Sequence, residues 1–331
     1  MKASMGLLEP ILVTGGMGFI GSHLVEALLK RDYEVRVIDN LSSGDPRNLE
    51  RFDGSPNFSF IRGDLLNPED LRRAIEGCRT VFHLAANPEV RTSFVSPDEH
   101  YRQNVLATYN LLEAVRREVD LDVFVFTSSS TVYGDARRLP TPEDYAPLKP
   151  ISVYGACKLA CEALITSYAY NYGFRALIYR LANIVGPGSR HGVIYDFVRK
   201  LLRNSHELEI LGDGTQTKSY LYIDDCVDAM LLGMETQESP VAIYNIGSED
   251  WINVKEIADI VVDEMGLKNV RFRFTGGVDG GRGWRGDVKY MHLDISKMKA
   301  LGWKPKYSSA EAVRLTARAL IQELKGREPP H

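Results

Sequence analysis

Residues 11–21 read Ile11-Leu12-Val13-Thr14-Gly15-Gly16-Met17-Gly18-Phe19-Ile20-Gly21, a short apolar run that closes on a cluster of glycines. Leu24, Leu28 and Leu29 then recur at helical spacing, so the order is strand, glycine turn, helix. Gly15, Gly18 and Gly21 stand three apart, and Gly16-x-Gly18-x-x-Gly21 overlaps them. At such a turn the backbone bends tightly and can approach a pyrophosphate. The free amides at the helix start, here those of Phe19 and Ile20, attract its charge. Glycines alone also fit a plain structural turn. Their place between an apolar strand and an apolar-faced helix is what points to a dinucleotide.

Working outward, the next strand, Val35-Arg36-Val37-Ile38, ends at Asp39, eighteen residues past Gly21. A carboxylate there accepts both ribose hydroxyls of an adenosine and repels a 2'-phosphate, which selects NAD over NADP. Asn40, Ser42, Ser43 and Gly44 form a polar turn suited to the rest of the adenosine. A third strand, Phe58 to Arg62, leads to Asp64 and Leu65, with Asp64 an acceptor for the adenine amino group. A fourth, Thr80 to Leu84, ends in Ala85-Ala86, small residues that let a dinucleotide lie across the strand end. Strands that alternate with helices imply a parallel sheet whose ligands sit at the carboxyl ends of the strands. Asn104, on the helix that follows, reads either as an active-site residue or as an ordinary polar helix residue.

The fifth strand, Val123 to Phe126, opens into Thr127-Ser128-Ser129-Ser130-Thr131-Val132-Tyr133-Gly134. A row of hydroxyls at a strand end can bind a sugar hydroxyl and relay its proton, although hydroxyl clusters are also ordinary turn chemistry. Beyond it, near Ile151, an apolar helical segment begins with Tyr154-Gly155-Ala156-Cys157-Lys158. Residues four apart share a helix face, so the Tyr154 hydroxyl and the Lys158 ammonium can reach one site. A neighbouring cation favours the phenolate and brings tyrosine toward service as a base.

At 331 residues the chain fits one large α/β unit or a large domain with a smaller partner. Its composition, 44% hydrophobic and 25% charged, is that of a globular protein with a sizeable core. The formal charge of -4 argues against nucleic acid as a partner. No apolar run approaches the roughly twenty residues of a membrane span, and Met1 to Pro10 lacks a signal-peptide pattern, so the expected location is cytoplasmic. Cys78, Cys157, Cys161 and Cys226 show no disulfide framework and no metal-ligand spacing, so no metal is expected.

Taken in order, the glycine turn, Asp39, Asp64, His83-Leu84-Ala85-Ala86, Asn104, Ser128 to Gly134 and Tyr154-x-x-x-Lys158 resemble the extended short-chain dehydrogenase/reductase family. Within it the match is to the nucleotide-sugar 4-epimerases, especially archaeal ones. The likeness runs from about Ile11 to Leu324 and takes in Arg180 to Pro187, His191 to Phe197, Leu211 to Gln216 and Gly281 to Asp287. It implies a Rossmann-type doubly wound parallel sheet with a smaller α/β substrate-binding lobe. It also implies a tightly held NAD and reversible C4 epimerisation of UDP-glucose and UDP-galactose through a 4-keto sugar. By the same resemblance Tyr154 is the base, Lys158 binds the nicotinamide ribose and lowers the Tyr154 pKa, and Ser129 hydrogen-bonds the 4-oxygen. Asn183, Val193, Lys218, Arg282 and Asp287 would bind the UDP-sugar, and helices 97–119 and 153–173 would form a homodimer's four-helix bundle. Related dehydratases and decarboxylases carry acids where this chain has Ser130 and Thr131, which argues against both reactions.

Two positions depart from the family pattern. Lys218-Ser219-Tyr220 stands where bacterial epimerases have Arg-Asp-Tyr, and Trp284 replaces an arginine three residues before Asp287, leaving Arg282 or Arg285 for the diphosphate. Residues 10–185, with 212–250 returning, read as the NAD-binding part, and 186–211 with 251–331 as the substrate lobe. A 4-epimerase of UDP-N-acetylhexosamine or UDP-hexuronate is the first alternative, and a dinucleotide-binding regulator without turnover is the second.

Overall fold

The computed structural model describes residues 9–236 and 239–325. In chain order the first half contains β1 (Ile11–Thr14), α1 (Phe19–Leu29), β2 (Val35–Asp39), β3 (Phe58–Arg62), α2 (Pro68–Ile75), β4 (Thr80–His83), α3 (Pro97–His100), α4 (Ala107–Glu118), β5 (Val123–Ser129), α5 (Val153–Tyr172) and β6 (Arg175–Leu181). The second half contains β7 (Asn183–Val185), α6 (Val193–Arg203), β8 (Glu207–Ile210), β9 (Thr217–Lys218), β10 (Tyr220–Tyr222), α7 (Ile223–Thr236), β11 (Val241–Ile246), β12 (Ile252–Asn253), α8 (Val254–Glu264), β13 (Arg271–Phe274), β14 (Tyr290–Met291), α9 (Ser296–Ala300) and α10 (Ser309–Lys325).

Seven strands form one parallel sheet in the order β11-β6-β5-β4-β1-β2-β3. The chain runs outward from β1 in one direction through β2 and β3, then crosses back to β4 on the other side. The order therefore reverses between β1 and β4, and a crevice opens at the carboxyl ends of these neighbours. Their sequences follow from the architecture. A strand covered by helices on both faces is apolar along its length, and β1 and β4 are buried at every residue. One core layer joins Leu24 and Leu28 of α1 to Met230 and Met234 of α7; the opposite layer joins Leu71, Leu111, Cys161 and Ile165 from α2, α4 and α5.

A third core, around Phe197, Leu201, Ile257, Val261, Val313 and Leu320, is built by α6, α8 and α10. Small sheets flank it: β10 with β7, β13 with β8, and β9 between β12 and β14. The helical apolar spacing of Ile223–Met234, Val254–Met265 and Ser309–Leu324 is realised in α7, α8 and α10. The last six residues of the expected lobe lie outside the described residues.

One expected helix differs. The segment 97–119 is not one α-helix, because Tyr101–Leu106 winds as a π-turn between α3 and α4. Such a turn carries the chain through a wider ring and is found mostly as a single insertion in a helix. Here the carbonyl of Asn104, inside the turn, accepts the Thr108 hydroxyl at 2.6 Å.

Candidate active site

The crevice is a cleft of about 520 Å³ that runs from the β1 glycine turn to the N-terminus of α6. Gly15 sits at φ +69, and a Cβ there would come within 2.7 Å of the Ala85 backbone. A Cβ on Gly21 would overlap the Gly15 carbonyl oxygen. The Gly18 N–H donates to that oxygen at 3.1 Å, closing the turn, and α1 then starts with no side-chain cap. Its first amides have no partner within the helix and line the cleft at Phe19, Ile20 and Gly21.

Asp39, at the end of β2, is 9% exposed. Its two carboxylate oxygens accept the N–H groups of Met17 (3.0 Å) and Leu41 (2.8 Å). Burial pushes its pKa up, and these two amides oppose the shift. Gly44 packs behind this carboxylate, where a Cβ would lie 3.0 Å from both oxygens, and does not line the cleft. Asn40 donates to Asp64 at 3.1 Å, while the other Asp64 oxygen accepts the Leu66 N–H. Ser42, Ser43, Leu65, Leu84, Ala85 and Ala86 line the cleft as well. Asn104 does not. It is buried, and its side-chain oxygen accepts the Asn87 N–H at 2.7 Å, so it fixes the loop after Ala86 from below.

Tyr154 enters the cleft from the first turn of α5, which Ser152 caps by accepting the Gly155 N–H at 3.0 Å. Lys158, one turn on, is 4% exposed, donates to the Thr127 carbonyl at 2.8 Å and lies 5.8 Å from the Tyr154 ring centre. Burial pulls the ammonium down to about 8. Burial also pushes the Tyr154 phenol well above its ordinary value, against a hydrogen bond from Ser129 that lowers it. The expectation that Lys158 brings the phenol down is therefore not met by the protein groups alone, because desolvation of the phenolate is the largest influence on it.

Beside them Ser128 donates to Glu162 at 2.5 Å, and Glu162 receives a two-pronged contact from Arg180, with both partners buried. This network joins residues from β5, α5 and β6, and no local spacing in the sequence announces it.

At the far end of the cleft Asn183 lies on β7 with its amide on the Ser219 carbonyl, and Val193 opens α6 after Gly192 at φ +89. Lys218 pairs with Asp287 at 2.6 Å and stands over the Trp284 ring. Arg282 does not line the cleft. Its guanidinium is held by Asp135, through contacts of 3.0 and 2.9 Å, and by the Asp287 carbonyl, so the Arg282–Asp287 pairing runs through the backbone. Two ion pairs cross the cleft and had no signal in the sequence: Arg190 with Asp45, and Arg91 with Asp196 at 3.5 Å.

The family model described as the NAD dependent epimerase/dehydratase family matches residues 11–247. The chain belongs to this family. Its glycine cradle, uncapped helix start and Asp39 fit NAD, the cofactor that names the family. A provisionally named UDP-glucose 4-epimerase of Methanocaldococcus jannaschii is 36% identical over 92% of this chain and 96% of its own length. A crystal structure of a UDP-galactose 4-epimerase superposes with TM-score 0.84 at 46% identity, covering 95% of this chain and 99% of that one. The UDP-glucuronic acid 4-epimerase of Bacillus cereus, in complex with UDP-glucuronic acid and NAD, gives TM-score 0.85 at 33% identity over 95% and 99% of the two chains.

Proposed function

We propose that this family member is a UDP-sugar 4-epimerase that interconverts UDP-glucose and UDP-galactose. The observation that carries the reading is the convergence of Tyr154, Ser129 and Lys158 at the end of β5, with the hydroxyls of Ser130 and Thr131 where other reactions of the family need acids.

Tyr154 takes the proton of the sugar 4-hydroxyl and gives it back to the 4-oxygen once the 4-keto sugar has turned its other face to the site. Ser129 donates to the 4-oxygen as charge develops on it. Bound NAD would supply the acceptor of the C4 hydride and, once reduced, the donor that returns it, with no net redox change, and its positive charge would favour the Tyr154 phenolate. Lys158 adds its own charge and is placed for the nicotinamide ribose. The amides of Phe19 and Ile20 hold the cofactor's pyrophosphate, and Asp39 with Asn40, Ser42 and Ser43 holds its adenosine. Asn183, Val193, Lys218 and Asp287 take the UDP, with Lys218 rather than Arg282 facing the diphosphate.

In this reading residues 10–185 and 212–250 are the cofactor half, and 186–211 with 251–331 the substrate lobe. The protein acts in the cytoplasm as a homodimer. NMR of UDP-glucose, UDP-N-acetylglucosamine and UDP-glucuronate, each incubated alone with the protein, tests the sugar identity. Inversion at C4 of UDP-glucose supports the reading; inversion of the acetamido or uronate sugar alone moves the specificity to that sugar.

A further inference from the structure

We infer that Thr131 is a positioning residue that sets the direction of the Ser129 hydroxyl, obliging it to donate toward the reacting oxygen. This rests on the roles proposed above for Ser129 and Tyr154. Strand β5 ends at Ser129, and the chain turns at once into a short 3-10 helix, Ser130–Tyr133, which Ser129 caps. The Ser129 oxygen accepts the Thr131 N–H at 3.2 Å and the Thr131 hydroxyl at 3.0 Å. A serine oxygen has two lone pairs and one proton. With both lone pairs engaged by one residue, the proton is what Ser129 has left to offer, and it points away from the turn. Ser129 and Tyr154 line the same cleft, and Ser129 is the group that lowers the Tyr154 phenol against the effect of burial.

The neighbouring hydroxyl does not compete for this role, because Ser128 donates to Glu162 in the interior. The placement of Thr131 is itself tight. Its carbonyl oxygen abuts Gly155, the residue after Tyr154, and a Cβ there would approach to 2.8 Å. The turn that polarises Ser129 and the helix that carries Tyr154 are thus docked backbone to backbone. A donor is what the chemistry requires at this place: as the 4-oxygen loses its proton, charge grows on it, and a hydroxyl turned the other way would present a lone pair to that charge.

The test compares Thr131→Val, which keeps the backbone N–H and the shape but removes the hydroxyl, with Thr131→Ser, which keeps the hydroxyl. Steady-state UDP-glucose epimerisation is measured for both, together with the NAD content of the purified proteins. Thr131→Val is expected to lower kcat roughly three- to tenfold, as befits one hydrogen bond, with KM and NAD content unchanged. Thr131→Ser is expected to stay within about twofold of the parent. The inference is overturned if Thr131→Val matches the parent, or if Thr131→Ser falls as far as Thr131→Val, which would make the methyl group the operative part. Tyr154→Phe is run alongside. Turnover by that variant would sink the proposed function itself, a failure distinct from the failure of the Thr131 inference.

Discussion

Tyr154 and Lys158 illustrate how burial and chemistry pull against each other at single residues. Tyr154→Phe removes the one hydroxyl in the cleft assigned to carry the 4-OH proton. It is expected to lower kcat by at least about a thousandfold while NAD remains bound, read by assay and by cofactor release on denaturation. Lys158 is held near 8 against an ordinary value of 10.5. Between those values the unfolded chain binds more protons than the folded one, so the stability cost of the buried ammonium is relieved as pH rises through that window and is fully present below it. Lys158→Met, which keeps length and loses charge, is expected to raise the Tm of the cofactor-free protein by a few degrees at pH 7 and to lose that advantage by about pH 10.5. Calorimetry at the two pH values checks it, and an advantage that persisted at the higher pH would contradict the assigned cause. Asp39 offers a third case. Its carboxylate is already engaged by two backbone amides, so Asp39→Asn disturbs the turn as well as the charge. Discrimination against NADP should nonetheless relax, measured as the ratio of the two cofactors' Kd.

Among the elements, the glycine turn was the most legible in the sequence and the β5–α5 network the least. The turn is encoded within eleven consecutive residues, and its steric reason is local: Gly21 has no room for a Cβ beside the Gly15 carbonyl. Gly21→Ala is therefore expected to weaken NAD retention at least about tenfold, seen as a requirement for added cofactor, with helix content by circular dichroism intact. The Tyr154-x-x-x-Lys158 pair was legible for a similar reason, since helical periodicity alone puts both on one face. By contrast, Ser128, Glu162 and Arg180 come from three elements, and only the packed sheet makes them neighbours. Glu162→Gln leaves Arg180 buried without its counter-charge and should cost about 3 kcal/mol in urea unfolding. Asn104 and Gly44 were placed in the site by sequence and stand just behind it, because no periodicity reports that a π-turn rotates one side chain under a loop or that a glycine backs a carboxylate.

At the scale of the whole molecule, the parallel sheet could be anticipated from alternating strands and helices, whereas the ion pairs across the cleft could not. Arg190, in the segment leading into α6, reaches Asp45 from 145 positions away, and Arg91 reaches Asp196 in the first turn of α6, so each pair ties a loop of the sheet to the start of that helix. The outer face of α4 and α5 carries exposed Tyr109 and Tyr172 around the Tyr168–Glu113 contact. If that face joins two copies, Tyr109→Glu with Tyr172→Glu should halve the mass seen by sedimentation and leave NAD bound. In the proposed reaction one site removes a hydride from the sugar C4 and returns the same hydride to its other face. Conversion of UDP-glucose in D2O, followed by NMR and mass spectrometry, tests it most directly. UDP-galactose with protium retained at C4 and C5 and no accumulated NADH is expected. Deuterium at either carbon, or net NADH, would contradict it.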